Sequence, residues 1–232
     1  MPRGGSDNKG LPAYFPRMSY VPRILLSLVV ATVGTTACQR PSTQSAPEPP
    51  EHALANLAAQ HVVVLPTYTA HLGKGLAWKV PSAAELRRDM DSAIVSAFEE
   101  RGLRKSWIFP DQLQAAYRRN APYATDPYAL AEEPLRSPAL AIDQRLPEPL
   151  ASEIRTMVAF HDDARLVLAP VDLELEPAPG GAGRGVLRLV LMDARLSNVR
   201  WIGSVTGDAS AAFDPGIMAS VAAKLAGVVA PQ

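Results

Sequence analysis

One cysteine, Cys38, and four histidines are all that 232 residues offer of the soft or switchable ligands. A single cysteine cannot close an internal disulfide, nor can it supply a multi-cysteine metal site. An excess of one charge is also missing, with 23 basic side chains against 23 acidic ones. Residues 1–37 hold four of the basic ones (Arg3, Lys9, Arg17, Arg23) and one of the acidic ones (Asp7). The remainder therefore carries 19 against 22, a net of −3, with no basic stripe. No nucleic-acid partner is expected of such a surface. Nor does any apolar run reach the ~20 residues that a membrane-spanning helix needs. What remains is ordinary globular composition, 47% hydrophobic and 20% charged, and a length that suits one domain or a small pair.

The longest apolar stretch, ILLSLVVATVGTTA at 24–37, follows Arg23 and ends in the small residues Thr35, Thr36 and Ala37. Its length and flanks are those of a signal-peptide core, so residues 1–37 are expected to be an export signal. Met18 begins a segment that looks like a complete signal start and is the expected initiator. Cys38 follows at once, in an arrangement that resembles a bacterial lipobox, with Thr35 where Leu is usual. The expectation is an acylated Cys38 that fixes the protein to a membrane, since each buried CH₂ of a lipid chain contributes about 0.8 kcal/mol. The other reading is cleavage after Ala37 that leaves Cys38 as an odd free thiol. Gln39 is not the Asp of an inner-membrane retention signal, so an outer-membrane anchor facing the periplasm is expected. Residues 38–60 open with a Pro-, Ser-, Gln- and Glu-rich run and are expected to be a flexible lipidated tether.

From residue 61 onward the pattern turns globular. HVVVLP at 61–66 is a β-branched run suited to a buried strand that Pro66 ends. A loop with Gly73 and Gly75 should follow. Ser82 and Glu85 form a capping box for a helix over 82–101, with Leu86, Met90, Ile94 and Phe98 on one face and Gly102 as a left-handed stop. A strand is expected over 104–109, then a short helix capped by Asp111. Residues 121–147 hold five prolines and no sustained period, which predicts a long surface insert outside the core. Leu150, Ile154, Met157, Val158 and His161 predict one more helix face. Residues 165–176 form a strand whose second half alternates, Val171, Leu173 and Leu175 against Asp172, Glu174 and Glu176. The glycines at 180, 181, 183 and 185 predict a hairpin loop, and Asn198 a second turn, flanking strands at 186–194 and 199–206. Asp214 should cap a last helix with Pro215 at its first position and Ile217, Val221, Leu225 and Val228 on its apolar face. The expected fold is a single α/β domain over 61–232, a mixed β-sheet of about five strands with helices packed on it. Its order is β-α-β-α-α-β-β-β-α.

Three segments together resemble a group of envelope proteins: VVVLP at 62–66 ahead of the helix ending at Gly102, HDDARLVLAPVDLELE, and LRLVLMDARLSNVRWIGSV with Asp193 and Trp201. The pattern over 61–230 is similar to the periplasmic domain of the TolB amino-terminal region, the curli-secretion lipoprotein and the penicillin-binding-protein activator lipoproteins. Asn198 stands where those proteins often have Gly. The resemblance implies a non-enzymatic domain that binds protein partners, with no catalytic residues to carry over and no cofactor.

Chemistry read from the residues themselves is thin. His161, Asp162 and Asp163 could begin a metal site or serve a small periplasmic hydrolase, but no further ligand stands at metal spacing. Residues 203–207 carry Val205 where a nucleophile elbow needs Ser. GGAGRG at 180–185 and Gly73-Lys74-Gly75 lack phosphate-loop spacing. Asp172, Glu174 and Glu176 read as a solvated sheet face. No catalytic, metal or cofactor residue is assigned. Aromatics are scarce, 6% of the chain, so those in loops stand out. Trp78, Tyr117, Tyr123 and Tyr128 are the candidate partner-binding residues, the tyrosines around the proline-rich insert. The expected function is a lipid-anchored accessory for assembly or secretion that binds an envelope protein. Intact-mass measurement of the mature chain should show an acylated amino-terminal Cys38, and Cys38→Ala should stop at precursor or a soluble product. An unmodified amino terminus at Cys38 would contradict the anchor.

Overall fold

A computed structural model describes residues 54–161 and 164–231, all within one compact unit. The signal segment, Cys38, the tether up to residue 53, and Asp162 and Asp163 lie outside the described residues. None of the helices among the described residues is long and apolar enough to cross a membrane.

Residues 54–60 are not tether. Leu54 and Leu57 are fully or almost fully buried, on either side of the start of a 3-10 turn over Ala55–Leu57. Two leucines three residues apart fall on one side of a helical turn, and here that side fills the core beside the last helix. The folded part therefore begins at least seven residues before the strand that announced it.

Strands β1 (Val62–Val64) and β2 (Thr69–Leu72) lie end to end along one partner, β4 (Leu166–Pro177), both in parallel register. β2 occupies part of what was expected to be a loop. Pro66 has no N–H to give the ladder, so pairing lapses there and resumes when Tyr68 N donates to the Pro170 carbonyl at 2.9 Å. Pro170 likewise lacks an N–H, and the register of β4 against β5 shifts between Pro170 and Asp172. β3 (Trp107–Ile108) pairs parallel with the other edge of β1. β5 (Gly183–Asp193) and β6 (Asn198–Thr206) continue antiparallel from β4. The sheet is mixed and six-stranded, in the order β3-β1-β4-β5-β6 with β2 beside β4. That matches the expected class and adds one strand.

Alternation decides the two faces. Val62 and Val64 point to one, Val63 and Leu65 to the other. Helices α1 (Ala83–Glu100) and α4 (Gly216–Val229) cover the first face. The capping box of Ser82 and Glu85 is formed, Leu86, Met90, Ile94 and Phe98 are buried, and Gly102 takes φ +73°. Phe98 meets the rings of Trp107 and Phe109 at 4.9 and 5.9 Å. On α4, Ile217, Val221 and Leu225 are buried as expected, while Val229 rather than Val228 takes the innermost place.

The second face is covered by α2 (Pro110–Asn120) through Leu113, by α3 (Leu150–Val158), and by the proline-rich segment itself. Leu130, Leu135 and Leu146 are buried in that layer, so residues 121–147 do not lie outside the core as the sequence suggested. Aperiodicity hid them. Three leucines at irregular spacing suit a chain that crosses a sheet without regular structure beyond one 3-10 turn, Glu133–Arg136. Arg188 of β5 donates to the carbonyls of Arg136 and Ser137 at 2.9 and 3.0 Å, and residues 143–146 pair with the start of β6.

Smaller expectations also move. Phe109 is the N-cap of α2, and Asp111 lies in its first turn, where it pairs with Arg104. Asp214 does not cap α4 from the Ncap position; Pro215 holds that place, yet the Asp214 carboxylate still accepts from the Gly216 amide at 2.6 Å. Gly183 and Gly185 are inside β5, and the left-handed residue of the last hairpin is Ser197, not Asn198.

Removing a side chain from either layer should be costly. Phe98→Ala should lose ~3–5 kcal/mol and Leu135→Ala ~2–5 kcal/mol in denaturant unfolding. Tyr123→Ala, on the same segment but exposed, should change little. If Leu135→Ala proved as mild as Tyr123→Ala, the segment would not be part of the core.

Candidate functional site

The lapse in the ladder at Pro66 sets up the most unusual polar arrangement in the domain. Thr67 is buried, and its amide has no strand to pair with. It donates instead to Oδ1 of Asp91 on α1, at 2.7 Å, and the Thr67 hydroxyl donates to the same oxygen at 2.7 Å. Asp91 is thereby held where a solvent-facing helix position would not put it. Burial pushes its carboxyl up to about 6, against the opposing effects of the Thr67 hydrogen bonds and the Arg87 charge.

A second carboxyl sits in the layer above. Glu132 precedes the 3-10 turn of the proline-rich segment and is 2% exposed. Its Oε2 has no hydrogen-bond partner. Burial, then the charge of Asp91, then that of Glu153, push Glu132 up to about 8. A neutral acid is the form this site tolerates at neutral pH, since an unpaired buried charge is far more costly than an unpaired hydroxyl. Glu153 of α3 accepts from the Ala131 amide at 3.1 Å and so ties the same stretch down from the other side. Glu133 accepts from the Tyr68 hydroxyl at 3.3 Å.

Tyr128 stands over Asp91. It lines a cleft with Thr67, Arg87, Arg88 and Asp91, and burial raises its hydroxyl above the usual phenol range, helped by Asp91. Arg87 donates to the Tyr68 carbonyl at 3.0 Å. The site thus gathers the strand break, one flank of α1 and the proline-rich segment.

The other sequence candidates are scattered. Trp78 is half-buried. It packs against Gly183, where an added Cβ would sit 2.5 Å from the ring, and meets the Phe213 ring at 6.4 Å. It is packed loop, not open surface. Tyr117 is half-buried on α2, and Tyr123 is 79% exposed. No ring contact joins Tyr117, Tyr123 and Tyr128 among the described residues. His161 lies just past α3, beside a hollow whose other charged walls are Arg155 and Arg195. Two guanidinium groups are poor company for a divalent cation. Among the described residues no group of three His, Cys, Asp or Glu could hold a metal. The acidic row on β4 is matched from both sides. Asp172 accepts from Thr69 at 2.7 Å and faces His71 and Arg136, while Glu176 pairs with Arg184 at 2.6 Å.

Asp91, Thr67 and Glu132 were not singled out from sequence. One signal existed for Asp91. It follows Met90 and precedes Ile94 by three, which places a carboxylate on the flank of the buried stripe. Nothing in AEEPL marks Glu132.

Both raised carboxyls give stability the same sign. A carboxyl bound more tightly to its proton in the folded state stabilises below its unfolded value and loses that contribution as pH rises through the folded one. Stability should therefore fall from about pH 4 to 6 through Asp91 and on to about pH 8 through Glu132. Glu132→Gln should flatten the upper part of that decline in urea unfolding. A decline of unchanged size in Glu132→Gln would show that another group is responsible.

No family model matches this chain, and no curated protein matches it. Solved structures similar to it carry the name LpoB. The C-terminal domain from Salmonella enterica is 12% identical, over 68% of this chain and 93% of that one, with a TM-score of 0.32. The C-terminal domain from Escherichia coli is 13% identical over 68% and 97%, with 0.31. LpoB of E. coli in solution is 12% identical over 90% and 96%, with 0.33. LpoB is a penicillin-binding-protein activator lipoprotein, one of the three kinds of protein the sequence resembles. The overlap is loose, and it carries neither membership nor function to this chain.

Proposed function

We propose that this chain is a lipid-anchored protein of the bacterial envelope whose domain binds a protein partner and catalyses no reaction. The observation that supports it most is where the exposed apolar side chains sit. Five large ones are exposed among the described residues, and three of them, Tyr123, Tyr128 and Ile142, belong to the proline-rich segment. Leu196, a fourth, lies in the hairpin turn to which residues 143–146 are bonded. Leu130, Leu135 and Leu146 fix the segment from below, so the exposed residues are presented from a braced backbone. Aromatic groups already held in place lose little freedom on binding, which is the property of residues that dominate interfaces.

The export signal, Cys38 and the tether support the envelope address, with the outer membrane as the expected anchor. The sequence resemblance supports an assembly or secretion accessory. A hydrolase or metal enzyme built on His161 has no support from its described surroundings, where the charged neighbours are cations.

A photo-crosslinking residue placed at Tyr123 in growing cells should trap one defined envelope protein. Ile142→Ser should reduce that adduct while the protein's thermal midpoint holds. A crosslinker at exposed Lys79, away from the segment, should trap none. The same adduct from Lys79, or no adduct from Tyr123, would count against the reading.

A further inference from the structure

The cleft beside α1 holds polar groups that the fold leaves unused. Asp91 Oδ1 takes both hydrogen bonds from Thr67, and among the described residues Oδ2 takes none. Arg88 forms no ion pair among the described residues; the carboxylate three residues back on the helix, Glu85, is already bonded to the Ser82 amide and hydroxyl. The Tyr128 hydroxyl has no hydrogen bond among them either. These three side chains meet at two adjoining cavities of about 210 and 480 Å³, both lined by Arg88, Asp91 and Tyr128. Together they have the size of a small-molecule site, which spans ~300–1,000 Å³.

The charges select what fits. A lone ammonium would gain from Asp91 but would also face Arg87 and Arg88. A lone carboxylate would gain from Arg88 but would also face Asp91 and, in the larger cavity, Asp111, whose charge is already paired with Arg104 at 2.6 Å. Residues 88 and 91 are neighbours on the helix surface, with Cβ atoms ~5–6 Å apart, so a small molecule carrying both charges can meet both at once. Asp91 is largely removed from water, which strengthens any ion pair it makes.

We propose that this cleft binds a small zwitterion, with its ammonium on Asp91 Oδ2 and the Tyr128 hydroxyl and its carboxylate on Arg88. A free α-amino acid and a short unblocked peptide share that chemistry. The smaller cavity accommodates one residue of alanine size. The larger one, with Ser92, Val95 and Pro110, has room for a second. Tyr128 is common to this site and to the partner surface proposed above, whereas Tyr123 and Ile142 line neither cavity.

Calorimetric titration of the full-length chain in detergent micelles tests the idea. The probes are L-alanine and L-alanyl-L-alanine, against N-acetyl-L-alanine, which lacks the ammonium, and L-alaninamide, which lacks the carboxylate. At least one zwitterion should bind, with each singly charged control at least ~10-fold weaker. Tighter binding of the dipeptide would assign the site to peptide ends, and tighter or equal binding of alanine to the free amino acid. Asp91→Asn keeps an acceptor for Thr67, and Arg88→Gln changes an exposed position. Each should weaken the zwitterion at least ~10-fold while the thermal midpoint stays near that of the parent. Should Asp91→Asn fail to fold, Arg88→Gln decides alone. No heat from either zwitterion at millimolar concentration, a control that binds as well, or unchanged affinity in Arg88→Gln would overturn the proposal.

Discussion

Two hydrogen bonds from Thr67 to one oxygen of Asp91 join the sheet to α1 at the point where the sheet is weakest. Pro66 removes a donor from the strand, Pro170 removes one from its partner, and the ladder cannot run unbroken through either. The amide released at Thr67 must still be satisfied, because a buried unpaired N–H is costly. Asp91 supplies the acceptor. The same bond draws a carboxylate into the interior, beside a cleft that Tyr128 also lines. Strand break, buried acid and cleft are thus one feature seen from three sides.

The proline-rich segment depends on that feature and closes the other face of the domain. Its leucines cover Val63, Val171 and their neighbours, its carbonyls take the Arg188 guanidinium, and its end extends the sheet beside β6. Glu132 is the counterweight. It is a buried acid with an unpaired oxygen, and burial and the charge of Asp91 hold its carboxyl well above the usual range. A segment braced in this way can hold apolar side chains in water without collapsing onto them, which is what a docking surface needs.

Much of the fold could be read in the sequence. The capping box at Ser82, the four-residue spacing from Leu86 to Phe98, the left-handed Gly102 and the alternation from Val171 to Glu176 are local rules, and each appears in the structure. What could not be read was non-local. β2 is short, carries His71 and Thr69, and becomes a strand only because β4 lies beside it. Leu54 and Leu57 directly follow a Pro- and Glu-rich run, too few to show a period, and pack beside α4. The burial of Leu130, Leu135 and Leu146 has no period to betray it. The site fared worse for the same reason. Asp91, Thr67 and Glu132 are 24 or more residues apart in sequence, and no motif joins them. Tyr128 alone was marked in advance, on the strength of being an aromatic residue in a loop.

The claim on which everything else rests is that residues 121–147 are part of the folded core and not a loop laid over it. Amide hydrogen exchange tests it directly. The Leu135 amide donates to the Glu132 carbonyl and the Leu146 amide to that of Ser197. Both should exchange only through the same large-scale opening as the central amides of β4 and β5, and with similar protection. Rapid exchange at Leu135 and Leu146 beside well-protected β4 and β5 would contradict the account.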